Sequence, residues 1–339
     1  MRTTQMIRVL AAVTLLGLFA GCQDKSPKPK VAPAAAVAAP EPDPVPPPVE
    51  VVPLVPIDVP FQLLPKDSES VVVFSLTSLR QSSIWPSLKK KLLSGTQREL
   101  LWMREQCGLE PLELIDIVVV AGNSAKKDET ITMVRGLTRQ QVRECAAKDS
   151  KLTLKEEGNL SHVTLEGKDR WIAWIDDRTL LVSPDNSSKK YIEARASGKD
   201  GLDTNKEMMS LIEETKRTGT LFFAILPAPG SKLSDTLAKM PFGGTKGLFG
   251  TVVIENGLEI EVGSRFQDAE LAVASTVEAT STLAAAKLTT ASVYGKYIDR
   301  IVIQTKGRDL RARVKLSPSE LIEVGELFGG LMASIRGQL

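Results

Sequence analysis

Histidine is almost missing from this chain. His162 is the single one, and there are only three cysteines, Cys22, Cys107 and Cys145, with no C-x-x-C pair among them. A clustered zinc site needs several imidazole or thiolate ligands brought together, so no metal ligand is expected here. Catalytic signatures are equally scarce. There is no G-x-S-x-G elbow and no G-x-x-x-x-G-K-[ST] loop. Aromatic residues make up 5% of the chain, and 43 basic residues are mixed with 41 acidic ones. Without a basic tract interleaved with aromatics, nothing offers nucleic acid both charge and stacking. No cofactor motif is present either, so no catalytic or cofactor-binding residue is expected.

What the chain does have begins at its start. After Arg2 and Arg8 comes a short apolar run, Val9 to Ala20, that ends in Leu18-Phe19-Ala20-Gly21-Cys22. The run is too short to cross a hydrocarbon core, which needs about 20 apolar residues. It reads as the apolar region of a signal peptide over residues 1–21 and is excluded from the fold. Small residues directly before a cysteine resemble the lipobox of bacterial lipoproteins, although Phe19 stands where Leu is usual. The resemblance implies cleavage before Cys22, lipidation of that residue, and a mature protein held to the membrane through its anchor. Gln23 at the second mature position, where Asp would favour inner-membrane retention, points to the outer membrane of a Gram-negative envelope, facing the periplasm or the surface.

Residues 22–60 follow as a tether. About a third of the stretch from Gln23 to Pro60 is proline, as in Pro44-Val45-Pro46-Pro47-Pro48. Proline fixes φ and removes amide donors, so neither a helix nor a sheet ladder runs through it. Extended, such a segment reaches on the order of 100 Å. In an exported protein the remaining pair, Cys107 and Cys145, forms either a disulfide or two buried thiols.

From Phe61 onward the hydrophobic pattern reads as α+β. Ser70 to Leu76 is a dense apolar run, hence a buried strand. Helices are expected over Ser83 to Leu93 and Thr96 to Leu109, a strand over Ile115 to Ala121 and its hairpin partner over Thr130 to Val134. Thr138 and Gln141 form a capping box for a helix ending near Lys148. Four short strands follow as a meander, then a helix from Ser187 to Ala196. The second half runs in the same order. It has an opening strand at Thr220 to Leu226, a helix at Ser231 to Met240 and a hairpin across Asn256-Gly257. A long helix from Asp268, a strand pair at Arg300 to Leu316 and a closing helix from Ser317 complete it. This order predicts two similar halves, 61–200 and 201–339, each a mostly antiparallel sheet covered by helices on one face. In outline it resembles uncharacterised duplicated α+β envelope lipoproteins, a likeness that implies no activity.

Several residues are candidates for chemistry. His162 sits on an alternating strand and reads as structural; an enzyme would need it to converge with Asp176 and Asp177. Glu156-Glu157 falls at a turn, and Lys89-Lys90-Lys91 reads as a solvated helix face. Phe242 to Gly247 reads as a flexible connection, and Gly325, Gly329 and Gly330 as a close-packing stripe. The expectation is a non-enzymatic structural or interaction module, engaging an envelope protein partner that the sequence does not name. The alternative is a periplasmic binder of a small apolar or lipid ligand.

Overall fold

The structure, a computed structural model, describes residues 56–86, 89, 98–123, 129–149, 152–165, 167–238, 244–290 and 295–321. Its first part runs β1 (Ser70–Ser75), α1 (Leu76–Arg80), α2 (Arg98–Cys107), α3 (Pro111–Leu114), β2 (Ile117–Gly122), β3 (Ile131–Arg135) and α4 (Arg139–Lys148). It continues with β4 (Leu152–Glu157), β5 (Leu160–Leu165), β6 (Lys168–Trp174), β7 (Thr179–Val182) and α5 (Lys189–Ala196). The second part comprises α6 (Lys206–Glu213), β8 (Leu221–Ile225), α7 (Lys232–Ala238), β9 (Thr245–Glu255), β10 (Gly257–Phe266), α8 (Ala269–Thr290), α9 (Gly295–Ile298), β11 (Val302–Lys306) and β12 (Asp309–Leu316).

All twelve strands form one antiparallel sheet in the order β11-β12-β10-β9-β8-β1-β2-β3-β7-β6-β5-β4, so the fold is a mixed α+β one. The two opening strands are neighbours at its middle, with Val71 opposite Ala224 and Val73 opposite Phe222. Both are apolar on consecutive residues, and that pattern requires cover on both sides. The expectation of helices on one face is therefore corrected. On the first face, Val71, Val73, Val119, Met133 and Phe222 pack against Ile192 of α5 and against Met208, Leu211 and Ile212 of α6. The entering chain, Ile57 to Leu64, belongs to the same core. On the second face, Val118, Val134, Trp174 and Leu180 meet Leu76 and Leu79 of α1, Leu112 of α3 and the half-buried Val142 of α4.

Local signals explain many of the element ends. Thr138 Oγ1 accepts from the Gln141 amide (3.1 Å) and Gln141 Oε1 from the Thr138 amide (2.8 Å), so the capping box is complete. Ser317 and Glu320 exchange the equivalent pair of bonds, at 3.3 and 2.8 Å, and helical residues begin at Pro318. The apolar run Ser70 to Leu76 predicts Leu76 as the end of the first strand. Leu76 instead opens α1, because the Ser75 hydroxyl accepts from the Ser78 amide at 3.1 Å and starts a helix there. In β9 and β10 two ring-over-glycine contacts set the packing. A Cβ on Gly263 would lie 2.1 Å from the Phe249 ring, and one on Gly250 would lie 2.7 Å from the Phe223 ring. The two rings lie on opposite faces, each seated where its neighbour has no side chain.

Candidate functional site

The residues singled out from the sequence do not converge. His162 on β5 faces the first side of the sheet, 4.8 Å from the Trp171 ring, with its Nε2 3.6 Å from Asp169. Asp176 lies in the β6–β7 turn, where its carboxylate accepts from the amides of Arg178 (2.8 Å) and Thr179 (2.7 Å). Burial pushes the Asp176 carboxyl up, but those bonds outweigh it and hold the group below its usual value. The adjacent Asp177 uses its carbonyl to accept from the Arg139 amide at 3.2 Å. Asp176 is thus occupied in closing the hairpin.

Glu156 and Glu157 are strand residues of β4, not turn residues, and strand alternation sends them to opposite faces. Glu156 pairs with Arg143 (2.6 Å) and Arg139 (2.8 Å) of α4 on the second face, chiefly the Arg143 bond lowering its pKa. On the first face Glu157 pairs with Lys189 of α5, whose ammonium also lies 5.6 Å from the Trp171 ring centre. Two carboxylates adjacent in sequence therefore hold two different helices to the sheet. Lys89 pairs with Glu113 at 2.6 Å. Lys90, Lys91, Phe242, Gly243, Gly325, Gly329, Gly330 and the expected lipidation site Cys22 lie outside the described residues.

Cys107, at the end of α2, and Cys145, in α4, are joined by a disulfide with their Cα atoms 4.7 Å apart. Among the described residues no group of three or more metal-ligating side chains comes together, and no helix is long and apolar enough to cross a membrane.

An open cleft of about 510 Å³ lies on the first face where the two parts of the chain meet, lined by Lys66, Asp67, Glu129, Tyr191, Arg195 and Asp200 among others. Its floor is tied down. Arg195 is buried and donates to the carbonyls of Leu64 (3.3 Å), Asp200 (3.1 Å) and Lys199. The Asn205 side-chain amide donates to the Lys66 carbonyl (2.9 Å), and the Tyr191 hydroxyl to the Glu129 carbonyl (2.5 Å). Charges of both signs stand among the lining residues.

The densest polar construction is one that sequence reading missed. On the first face of β10 and β12, Arg265 forms a two-point pair with Asp309 at 2.7 and 2.9 Å and donates to Ser210 of α6 at 2.7 Å. Arg311 bonds Glu261 (3.0 Å) and Glu214, while Glu259 accepts from Lys216 (2.6 Å) and Arg313 (2.9 Å). Burial pushes the Glu214 carboxyl up, but the bonds from Lys306 and Arg311 outweigh it and leave the pKa lowered. The alternation of Glu259 with Glu261 and of Arg311 with Arg313 was the available signal. Pairing it required the register that sets Glu261 opposite Arg313 and Arg265 opposite Asp309.

No family model matches the sequence, and no curated protein does. Among solved structures the chain is similar to crystal form III of TP0453, with a TM-score of 0.49 and 9% identity over 80% of this chain and 99% of that one. It is also similar to crystal form I of TP0453, with a TM-score of 0.45 and 10% identity over 81% and 98% of the two chains.

Proposed function

We propose that the chain is a lipid-anchored protein of a Gram-negative cell envelope, held at the outer membrane through Cys22, with a non-enzymatic structural or interaction role toward an envelope protein partner. The observation that carries this reading is the apolar run ending at Ala20-Gly21-Cys22, followed at once by a proline-rich tether. The tether enters the domain at a firm point, since Ile57, Val59 and Phe61 are 6%, 5% and 6% exposed in the first-face core. A pull on the anchor is then borne by the sheet and not by a loose end. Growth with labelled palmitate is expected to label the wild type and leave Cys22→Ala unlabelled with its signal peptide retained. Label persisting in the variant overturns the anchor.

The fold is further read as two copies of one unit, residues 61–200 and 201–339. Outward from the central pair, β1-β2-β3-β7-β6 and β8-β9-β10-β12-β11 follow one another in the same manner. Each third strand is followed by a helix on the second face, α4 in one case and α8 in the other. One rotation of about 180° should lay β1, β2, β3 and α4 on β8, β9, β10 and α8. Helices falling on opposite faces after that rotation would reject the duplication.

A second functional reading, the apolar-ligand binder, is favoured by one observation. On the second face Val72, Phe74, Phe223, Leu258 and Ile260 are only partly buried, on β1, β8 and β10 to either side of the buried Val252 and Ile254 of β9. Native mass spectrometry of protein taken from its own membrane should then show a bound apolar adduct. A bare protein that also leaves a fluorescent fatty acid unbound removes this reading.

A further inference from the structure

Among the described residues, one edge of the sheet and one flank of a helix lie close together without a covering element. Among the described residues β11 pairs with β12 alone, and no described strand lies on its outer side. The helix α8 crosses the second face over β11 and β12, where Ala272 and Ala279 pack against Ile303 and Leu310. The Thr305 hydroxyl donates to that of Thr276 at 2.7 Å. At 100° per residue, Leu271 and Val273 fall on opposite flanks of the buried Ala272. A Cβ on Gly244, just before β9, would lie 3.6 Å from Leu271, so the Leu271 flank looks inward over the sheet. The other flank, Val273, Val277, Thr280 and Ala284, therefore looks out past the β11 edge. These four residues carry no charge, with Glu270 and Lys287 at the two ends of the flank, and Val273 and Val277 are 52% and 66% exposed; Val302, on the edge strand but on the opposite face of the sheet, is 56% exposed.

We propose that this surface is the interface of a homodimer, formed by antiparallel pairing of β11 with β11 of a second copy. The register that pairs all five residues is centred on Gln304. It sets Val302 opposite Lys306 and Ile303 opposite Thr305, and no two like charges face each other. The opposite edge strand, β4, presents Lys155, Glu156 and Glu157 in succession, the usual protection against such pairing. The helices fit the same two-fold axis. Strands lie about 4.8 Å apart, and α8 packs on both β11 and β12, which brings it near the two-fold axis. Thr305, next to Gln304, bonds Thr276, and that sets the neighbouring Val277 near the level of the axis, toward the second copy. The pairing extends the sheet and closes an apolar helix seam in one step. Because the axis is perpendicular to the sheet, both copies keep the tether-bearing first face on one side. The proposal does not rest on the lipid anchor, but it lets two anchors reach one bilayer.

The test uses the full chain in detergent. Light scattering should give twice the protomer mass at micromolar concentration. Gln304→Cys should cross-link to itself without added linker, since opposite Cα atoms of antiparallel strands, about 4.5–5.5 Å apart, span a disulfide. Lys155→Cys on the other edge should not. The double variant Val273→Glu/Val277→Glu alters exposed residues only. It should keep the circular dichroism of the wild type and weaken dimerisation at least a hundredfold. If that variant misfolds, the cysteine pair still decides. A monomeric wild type, equal cross-linking at both edges, or a dimer that survives the double glutamate variant overturns the proposal. A monomer that binds vesicles through the Val273 and Val277 flank overturns it in favour of a lipid-facing helix.

Discussion

Replacing Asp309 with alanine is expected to lower the unfolding free energy by about 3–5 kcal/mol, the range for breaking one side of a buried ion pair. The side chains of Arg265 and Asp309 are 7% and 5% exposed. With the carboxylate gone, the guanidinium loses both of its short bonds and keeps only the Ser210 hydroxyl and Glu214, whose carboxylate is 3.9 Å away. A buried charge remains with its two-point partner gone and only the more distant Glu214 carboxylate facing it. The cost should be read as a fall in urea midpoint with unchanged slope. Removing both charges together, as Arg265→Met with Asp309→Leu, should recover most of the loss, because the penalty comes from the orphan and not from the absence of the pair. If the single and double variants lose the same amount, the pair is not the source. Acid should weaken the same region. Glu214 and Glu259 both have lowered pKa values, with hydrogen bonds from Lys306, Arg311, Lys216 and Arg313 outweighing burial. A lowered folded-state pKa contributes stability that is complete above the unfolded value and is lost as pH falls through the folded one. The urea midpoint should therefore hold near neutrality and decline from the ordinary carboxylate value of 4.5 downward.

Loss of the Cys107–Cys145 bond is the other large effect. The cross-link closes a 38-residue separation, and loop entropy puts its contribution at roughly 4 kcal/mol. The enclosed segment contains β2 and β3, two inner strands of the sheet, and the bond clamps α2 to α4 across them. Both residues are buried, at 4% and 7% exposure, so the bond is shielded from reductants in the folded protein. Cys107→Ala/Cys145→Ala should unfold at markedly lower urea than the wild type. The wild type should fall to a similar midpoint only once reductant is present in the unfolded state. Peptide mapping without reduction should recover the segments around residues 107 and 145 as one linked mass. Two thiols free to alkylation in unfolded, unreduced protein would remove the cross-link and the stability argument together.

The chain's local grammar was largely written in its sequence. A run such as Ser70 to Ser75, the Asn256-Gly257 turn that leads β9 into β10, and the Thr138/Gln141 capping box each act within about ten residues. Their periods and hydrogen bonds are properties of the segment itself, so the order of strands and helices follows from them. Short helices escaped, among them α6, where Asn205 caps the run Met208, Leu211 and Ile212. Its apolar face becomes decisive only against β8 and β9. The tertiary structure alone decided that the halves share one sheet, through the pairing of Val73 with Phe222 some 150 residues away. It decided that helices cover both faces, that Glu156 and Glu157 serve different helices, and that Arg265 meets Asp309. Each of these depends on which distant segment lies opposite. A strand's apolar pattern states how much of it must be buried but carries no address for the partner that buries it. The address is set by the joint packing of all twelve strands, and a change of one residue in register turns every side chain to the other face.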